Sequence, residues 1–105
     1  MQDYEAEKKK GELERAKEEA RLNGDYELTF GTPQGQRVLL DLLKQCGIGR
    51  NPFDRDQAIA SFRAGRLDIG LYIQARLGLE DLRGKQRLTR MAIAHRKPEE
   101  EEQES

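Results

Sequence analysis

The chain has 105 residues, 35% of them hydrophobic and 37% charged, with no tryptophan, one cysteine and one histidine. A chain of this length holds one domain. An apolar share well below the roughly 45–50% of ordinary globular domains allows only a small core. One cysteine excludes an intrachain disulfide, and one cysteine with one histidine cannot supply the four ligands of structural zinc.

The formal net charge of −1 hides a segregation. Residues 1–30 and 98–105 are acidic, and residues 50–97 carry most of the Lys and Arg. Such asymmetry bears on partners more than the total does. The amino terminus lacks the apolar run of a secretory signal, and no stretch of about 18 apolar residues could span a membrane. The expected setting is a reducing interior, with no membrane signal.

From the amino terminus, residues 3–22 are rich in Glu, Lys, Arg and Ala, all good helix formers, with Glu5/Lys9 and Glu14/Glu18 at helical spacing. The only large apolar side chains there, Tyr4, Leu13 and Leu22, are nine residues apart, so no stripe docks this helix on a core. It reads as a solvent-exposed or partner-dependent arm, residues 1–24, closed by Asn23-Gly24. Asp25 to Phe30 then forms a short helix or extended lead-in, because its alternation has no partner strand in the chain.

Thr32-Pro33 starts the next helix: threonine caps free backbone N–H groups, and proline at the first helical position forfeits no hydrogen bond. Val38, Leu39, Leu42, Leu43 and Cys46 make one apolar face, and Gly47 closes the helix. Cys46 continues that face, so it is expected to fill space beside Leu42 and Leu43. A nucleophilic role would need a histidine nearby, and His95 lies in a distant basic segment.

Asp54 with Gln57 reads as a capping box for a helix over about 55–77, with Ala58, Ile59, Phe62, Ile69, Ile73 and Leu77 as its buried seam. Gly65 on that side is expected to admit another backbone, with Gly70 a second contact or a bend. Arg66 flanks this seam and is expected to find a structural partner such as Asp41 or a carbonyl. Gly78 loosens the chain. Residues 83–97 then interleave Arg83, Lys85, Arg87, Arg90, Arg96 and Lys97 with Leu88, Met91, Ala92 and Ile93 as a basic helical segment. Pro98 stops it, and residues 98–105 form an acidic tail expected to be disordered.

These elements predict an all-α fold: a small helical domain (25–82) built on an antiparallel helix pair, with a polar amino-terminal helix and a basic carboxyl-terminal segment. Residues 30–77 resemble a small domain family of tailed bacteriophages named for a Bordetella phage protein encoded among virion structural genes. The matching positions are Thr32, Pro33, Gly35 and Arg37, then Cys46 and Gly47, then Phe62, Gly65, Arg66 and Gly70. Leu67 and Asp68 stand where the family often has a second arginine and an asparagine. The basic segment from Arg83 onward lies outside the resemblance.

The resemblance implies a small helical virion-associated protein without enzymatic activity, made in the host cytoplasm and carried in the particle. Its expected partners are other virion proteins, at the portal or among proteins ejected with DNA, and any oligomer forms only in that assembly. The residues agree that no enzyme is expected. Gly31 to Gly35 lacks the Lys-Ser/Thr of a phosphate-binding loop, and Asp54/Asp56 and Glu80/Asp81 sit in capping or turn contexts. No catalytic residue, cofactor or metal is assigned. The alternative is a DNA-binding accessory protein acting through Arg83, Lys85, Arg87, Arg90, Arg96 and Lys97, helped by Arg50, Arg55, Arg63, Arg66 and Arg76.

Overall fold

The computed structural model describes residues 2–96, with side chains from Asp3 onward. Lys97, Pro98 and the acidic tail, for which a helix stop and a disordered end are expected, lie outside the described residues. The described residues form four helices: α1 (Gln2–Phe30), α2 (Pro33–Gln45), α3 (Gln57–Arg76) and α4 (Leu82–Ala94). The fold is all-α, as the sequence predicts.

Asn23-Gly24 does not end the first helix, which continues without a break to Phe30. A glycine inside a helix costs about 1 kcal/mol relative to alanine. Here Tyr26 and Phe30, one turn apart, pack against the core, and the Asn23 side chain accepts a hydrogen bond from Arg76 (3.2 Å), which together offset that cost. The first core residue is therefore contributed by α1. At about 1.5 Å per residue, α1 is roughly 44 Å long, and its amino-terminal part runs out past everything else. The radius of gyration is 18.7 Å, against about 13 Å for a compact chain of this length.

The corner between α1 and α2 follows from Thr-Pro-x-Gly. Thr32 Oγ1 accepts from the Gly35 N–H at 2.9 Å, and Pro33 opens the helix. A methyl group on Gly35 would lie 2.1 Å from the Thr29 carbonyl oxygen, so only glycine lets the two helices meet this closely. The start of α4 repeats the device: Asp81 Oδ1 accepts from the Gly84 N–H at 2.7 Å, and a methyl on Gly84 would lie 2.3 Å from the Leu79 Cα.

Both α2 and α3 stop in the same way. Gly47 (φ 79°) bonds back to the Lys44 carbonyl while the Ile48 N–H reaches Leu43; Gly78 (φ 65°) bonds to Ala75 while the Leu79 N–H reaches Gln74. This pairing of hydrogen bonds around a left-handed glycine turns the following apolar residue inward. Gly78 thus does not loosen the chain; it aims Leu79 into the core.

The core is small: Leu39 and Leu43 of α2, Leu77 and Leu79 after α3, and Met91 of α4, with Tyr26, Phe30, Leu40, Ile48, Ile73 and Leu88 packed around them. It therefore extends past Leu82 into the basic segment. The expected face of α2 is rotated: Leu39 and Leu43 are buried, Val38 and Leu42 are exposed, and Cys46 is half-buried. α3 runs back along α2, with Gly70 against Cys46 and Ile48 and, further along, Leu77 beside Leu39 and Leu43.

Two expectations for α3 fail. It begins at Gln57, with Asp56 rather than Asp54 as the cap; Asp56 Oδ1 accepts from Ala58 and Ile59, and Asp54 turns the preceding loop by accepting from the Asp56 N–H. Its seam is buried only at the far end. Ala58, Ile59, Phe62 and Ile69 are exposed, whereas Ile73 and Leu77 belong to the core. The physical reason is register: Gly70 already lies against Cys46 and Ile48, just past the end of α2, and Leu77 joins Leu39 and Leu43, so the turns of α3 before Gly70 have nothing of α2 opposite them. For the same reason Gly65 faces open space, and Gly70 makes the close approach expected of it.

Candidate functional site

Where α3 outruns α2, a groove of ≈ 390 Å³ opens between the end of α2, the connector after it and the first half of α3. Its lining contains four cations, Lys44, Arg50, Arg63 and Arg66, with Cys46, Gly47 and Pro52, and no carboxylate. The cations come from three elements. Lys44 lies in the last turn of α2, where a positive charge also suits the free carbonyls. Arg50 follows Gly49, whose φ of 83° turns the chain, and Arg63 and Arg66 stand on successive turns of α3.

Arg63 Nη1 pairs with Asp54 Oδ2 at 3.2 Å. Lys44, Arg50 and Arg66 have no carboxylate partner among the described residues. Arg66 lies over the Phe62 ring, 4.9 Å from its centroid, rather than against Asp41 or a carbonyl, the partners expected from the sequence. Phe62 is 64% exposed and Phe53, next to Pro52 in the connector, is 71% exposed. The groove gathers three of the motif positions, Cys46, Gly47 and Arg66, together with the Arg50 and Arg63 named as helpers in DNA binding; Phe62, a fourth, lies beside it under Arg66. Lys44 was missed; a single lysine at a helix end carries no signal until its neighbours are placed.

The α4 cations do not converge in this way. Arg83, Arg87 and Arg90 follow one flank at i, i+4 and i+7, Lys85 lies on another, and Gly84, Leu88 and Met91 face the core. Arg87 pairs with Glu27 of α1 at 3.3 Å. Arg96 is engaged by a partner as well, and Lys97 lies outside the described residues. His95 caps the end of α4, its Nε2 2.8 Å from Gln36 Oε1.

Arg76 fastens α1 to α3. Its guanidinium binds Glu19 and Asn23 of α1, donates to the Tyr72 hydroxyl at 3.0 Å, and lies 5.0 Å from the centre of the Tyr72 ring. The Glu19 carboxylate first, then the Tyr72 hydroxyl, hold Arg76 above the usual arginine range. Tyr26 lies edge-on to Tyr72 at 6.4 Å; burial first, then Tyr72, push its phenol above the ordinary 10.0. Toward the amino terminus from Glu19, no described α1 side chain makes an ion pair or hydrogen bond to the core. Thr32, Pro33, Gly35 and Gly70 serve the packing described above, Arg37 is exposed, and Arg55 lies exposed just ahead of α3.

The family model of the Bbp19-like phage proteins matches residues 26–92, well over half the chain. The chain belongs to this phage protein family. The match begins at Tyr26, the first side chain that packs against the core, and ends one residue after Met91, the last buried in it. It is wider than the 30–77 resemblance and takes in most of the basic segment, so Arg83 to Arg90 belong to the Bbp19-like domain. The arm formed by residues 2–25 lies outside it. No curated protein and no solved structure matches the chain. Among the described residues no helix is long and apolar enough to cross a membrane, and no three His, Cys, Asp or Glu side chains are grouped to hold a metal ion.

Proposed function

We propose that this phage protein is a non-enzymatic, virion-associated component that works by holding other virion proteins together, at the portal or among the proteins ejected with DNA. The supporting observation is the arm of α1. More than half of a 29-residue helix projects from a small closed domain, polar all round, with Tyr4 and Leu13 exposed along it. Isolated helices gain little stability in water without packing. A helix of this length held away from its own core is suited to pack on a neighbour, and the Arg76–Glu19–Asn23 contact fixes where it leaves the domain.

Partners are other virion proteins, met in the host cytoplasm during assembly, and multimers form only there. Quantitative mass spectrometry of purified particles tests this reading. The chain should be present at a fixed copy number, and deletion of residues 2–17 should remove it from particles while the domain stays folded. Absence of the intact chain from particles, or normal incorporation of the shortened one, contradicts the proposal.

A further inference from the structure

We propose that the groove between the end of α2 and the first half of α3 binds single-stranded nucleic acid. Lys44, Arg50 and Arg66 engage phosphates, and the exposed rings of Phe53 and Phe62 receive bases. Nothing in the Proposed function requires this site, and the two stand or fall separately.

Four observations carry it. In a chain of net charge −1, the groove is lined by four cations and no carboxylate. The carboxylate next to it, Asp54, is already held by Arg63, which leaves three cations unpaired. Two phenylalanines at the rim, Phe62 under Arg66 and Phe53 next in sequence to the lining residue Pro52, keep most of their surface in water. Arg66 covers one face of Phe62, so ring and charge form a single platform of the kind that stacks a base and neutralises its phosphate.

The rings select among polyanions. A duplex keeps its bases inside and would leave both phenylalanines unused. An acidic peptide would satisfy the cations but not the aromatic faces. A single strand offers phosphates and π-faces together.

The full chain is titrated against a fluorescently labelled oligothymidylate of about 12 nucleotides, within the usual range of site sizes. Three phosphate contacts on a single strand predict that affinity falls about 18-fold between 50 and 200 mM salt. Arg50→Ala with Arg66→Ala should weaken binding at least tenfold and flatten the salt dependence. Phe53→Ala with Phe62→Ala should also cost about tenfold or more. All four side chains reach solvent, so these variants keep the fold. Arg83→Ala with Arg90→Ala on α4 should change nothing. The proposal is overturned by absence of binding at 50 mM salt, by wild-type affinity in either groove variant, or by an equal loss in the α4 variant. It is also overturned if a duplex of the same length binds more tightly, or if a peptide of residues 98–105 displaces the oligonucleotide at equal concentration. That last result would make the groove a seat for acidic polypeptide.

Discussion

Replacing Gly35 with alanine tests the corner on which the domain is built, and the same change at Gly65 supplies its control. In an open helix, alanine stabilises relative to glycine by about 0.5–1 kcal/mol, because the unfolded chain has less freedom to lose. Gly65 has nothing within 4 Å of where a methyl would sit, so Gly65→Ala should realise that gain. At Gly35 the methyl would lie 2.1 Å from the Thr29 carbonyl oxygen and 2.9 Å from the Phe30 Cα, whereas ordinary contact begins at 3.4 Å. The end of α1 would have to retreat by roughly 1.3 Å, taking Phe30 with it, and overpacking of this kind typically costs 1–3 kcal/mol. With the propensity gain subtracted, Gly35→Ala should be less stable by about 1–2 kcal/mol, a fall in Tm of roughly 4–16 °C for a domain of this size. Thermal and urea unfolding followed by circular dichroism measure both variants. A Gly35→Ala protein as stable as the parent, or a Gly65→Ala protein that loses stability, would refute the geometry of both positions.

Leu79 is among the most completely buried side chains, so Leu79→Ala should cost about 2–5 kcal/mol, while Leu28→Ala, at a position 77% exposed, should stay within about 0.5 kcal/mol of the parent by the same unfolding measurement. Because the folded protein raises the Tyr26 phenol above 10.0, its contribution is complete below about pH 10 and is lost as pH rises through the folded value. Urea midpoints should therefore fall with pH in that alkaline range, and Tyr26→Phe should reduce the fall; an identical pH profile for the variant would contradict the placement of Tyr26 against Tyr72.

What the sequence disclosed and what it concealed divide along a physical line. The cap at Thr32, the proline after it and the glycine stop at Gly47 are local devices, each settled within a few residues, and they stand in the structure as the sequence predicts. Burial is not local. The periodicity of α3 marks Ile59, Phe62, Ile69, Ile73 and Leu77 as one face, but only the register against α2 decides which are covered, and α2 ends before it reaches the first three. The continuation of α1 through Asn23-Gly24 likewise depends on contacts of Tyr26 and Phe30 with residues far along the chain, which outweigh a local breaker. The basic character of residues 83–97 hid Met91 and Leu88, two apolar side chains among many charges that fasten α4 to the core.

The candidate groove was legible only in pieces. Cys46, Gly47 and Arg66 stand out as motif positions, and Arg50 and Arg63 as scattered cations, but their meeting depends on the antiparallel course of α2 and α3. The repeated glycine device at Gly84 had a readable signal, Asp81 three residues ahead of a glycine, which matches Thr32 ahead of Gly35.

Residues 26–92 form a closed domain, and the helical arm ahead of it is uncovered in the chain alone, as the proposed docking on a partner requires. Hydrogen exchange resolved along the isolated chain tests it most directly, since protection reports the free energy of opening at each amide. Amides around Leu39 to Leu43 and Leu77 to Leu79 should exchange only with global unfolding, and those of residues 3–18 orders of magnitude faster. Protection of residues 3–18 equal to that of the core, in the chain alone, would show that the arm needs no partner and contradict the account.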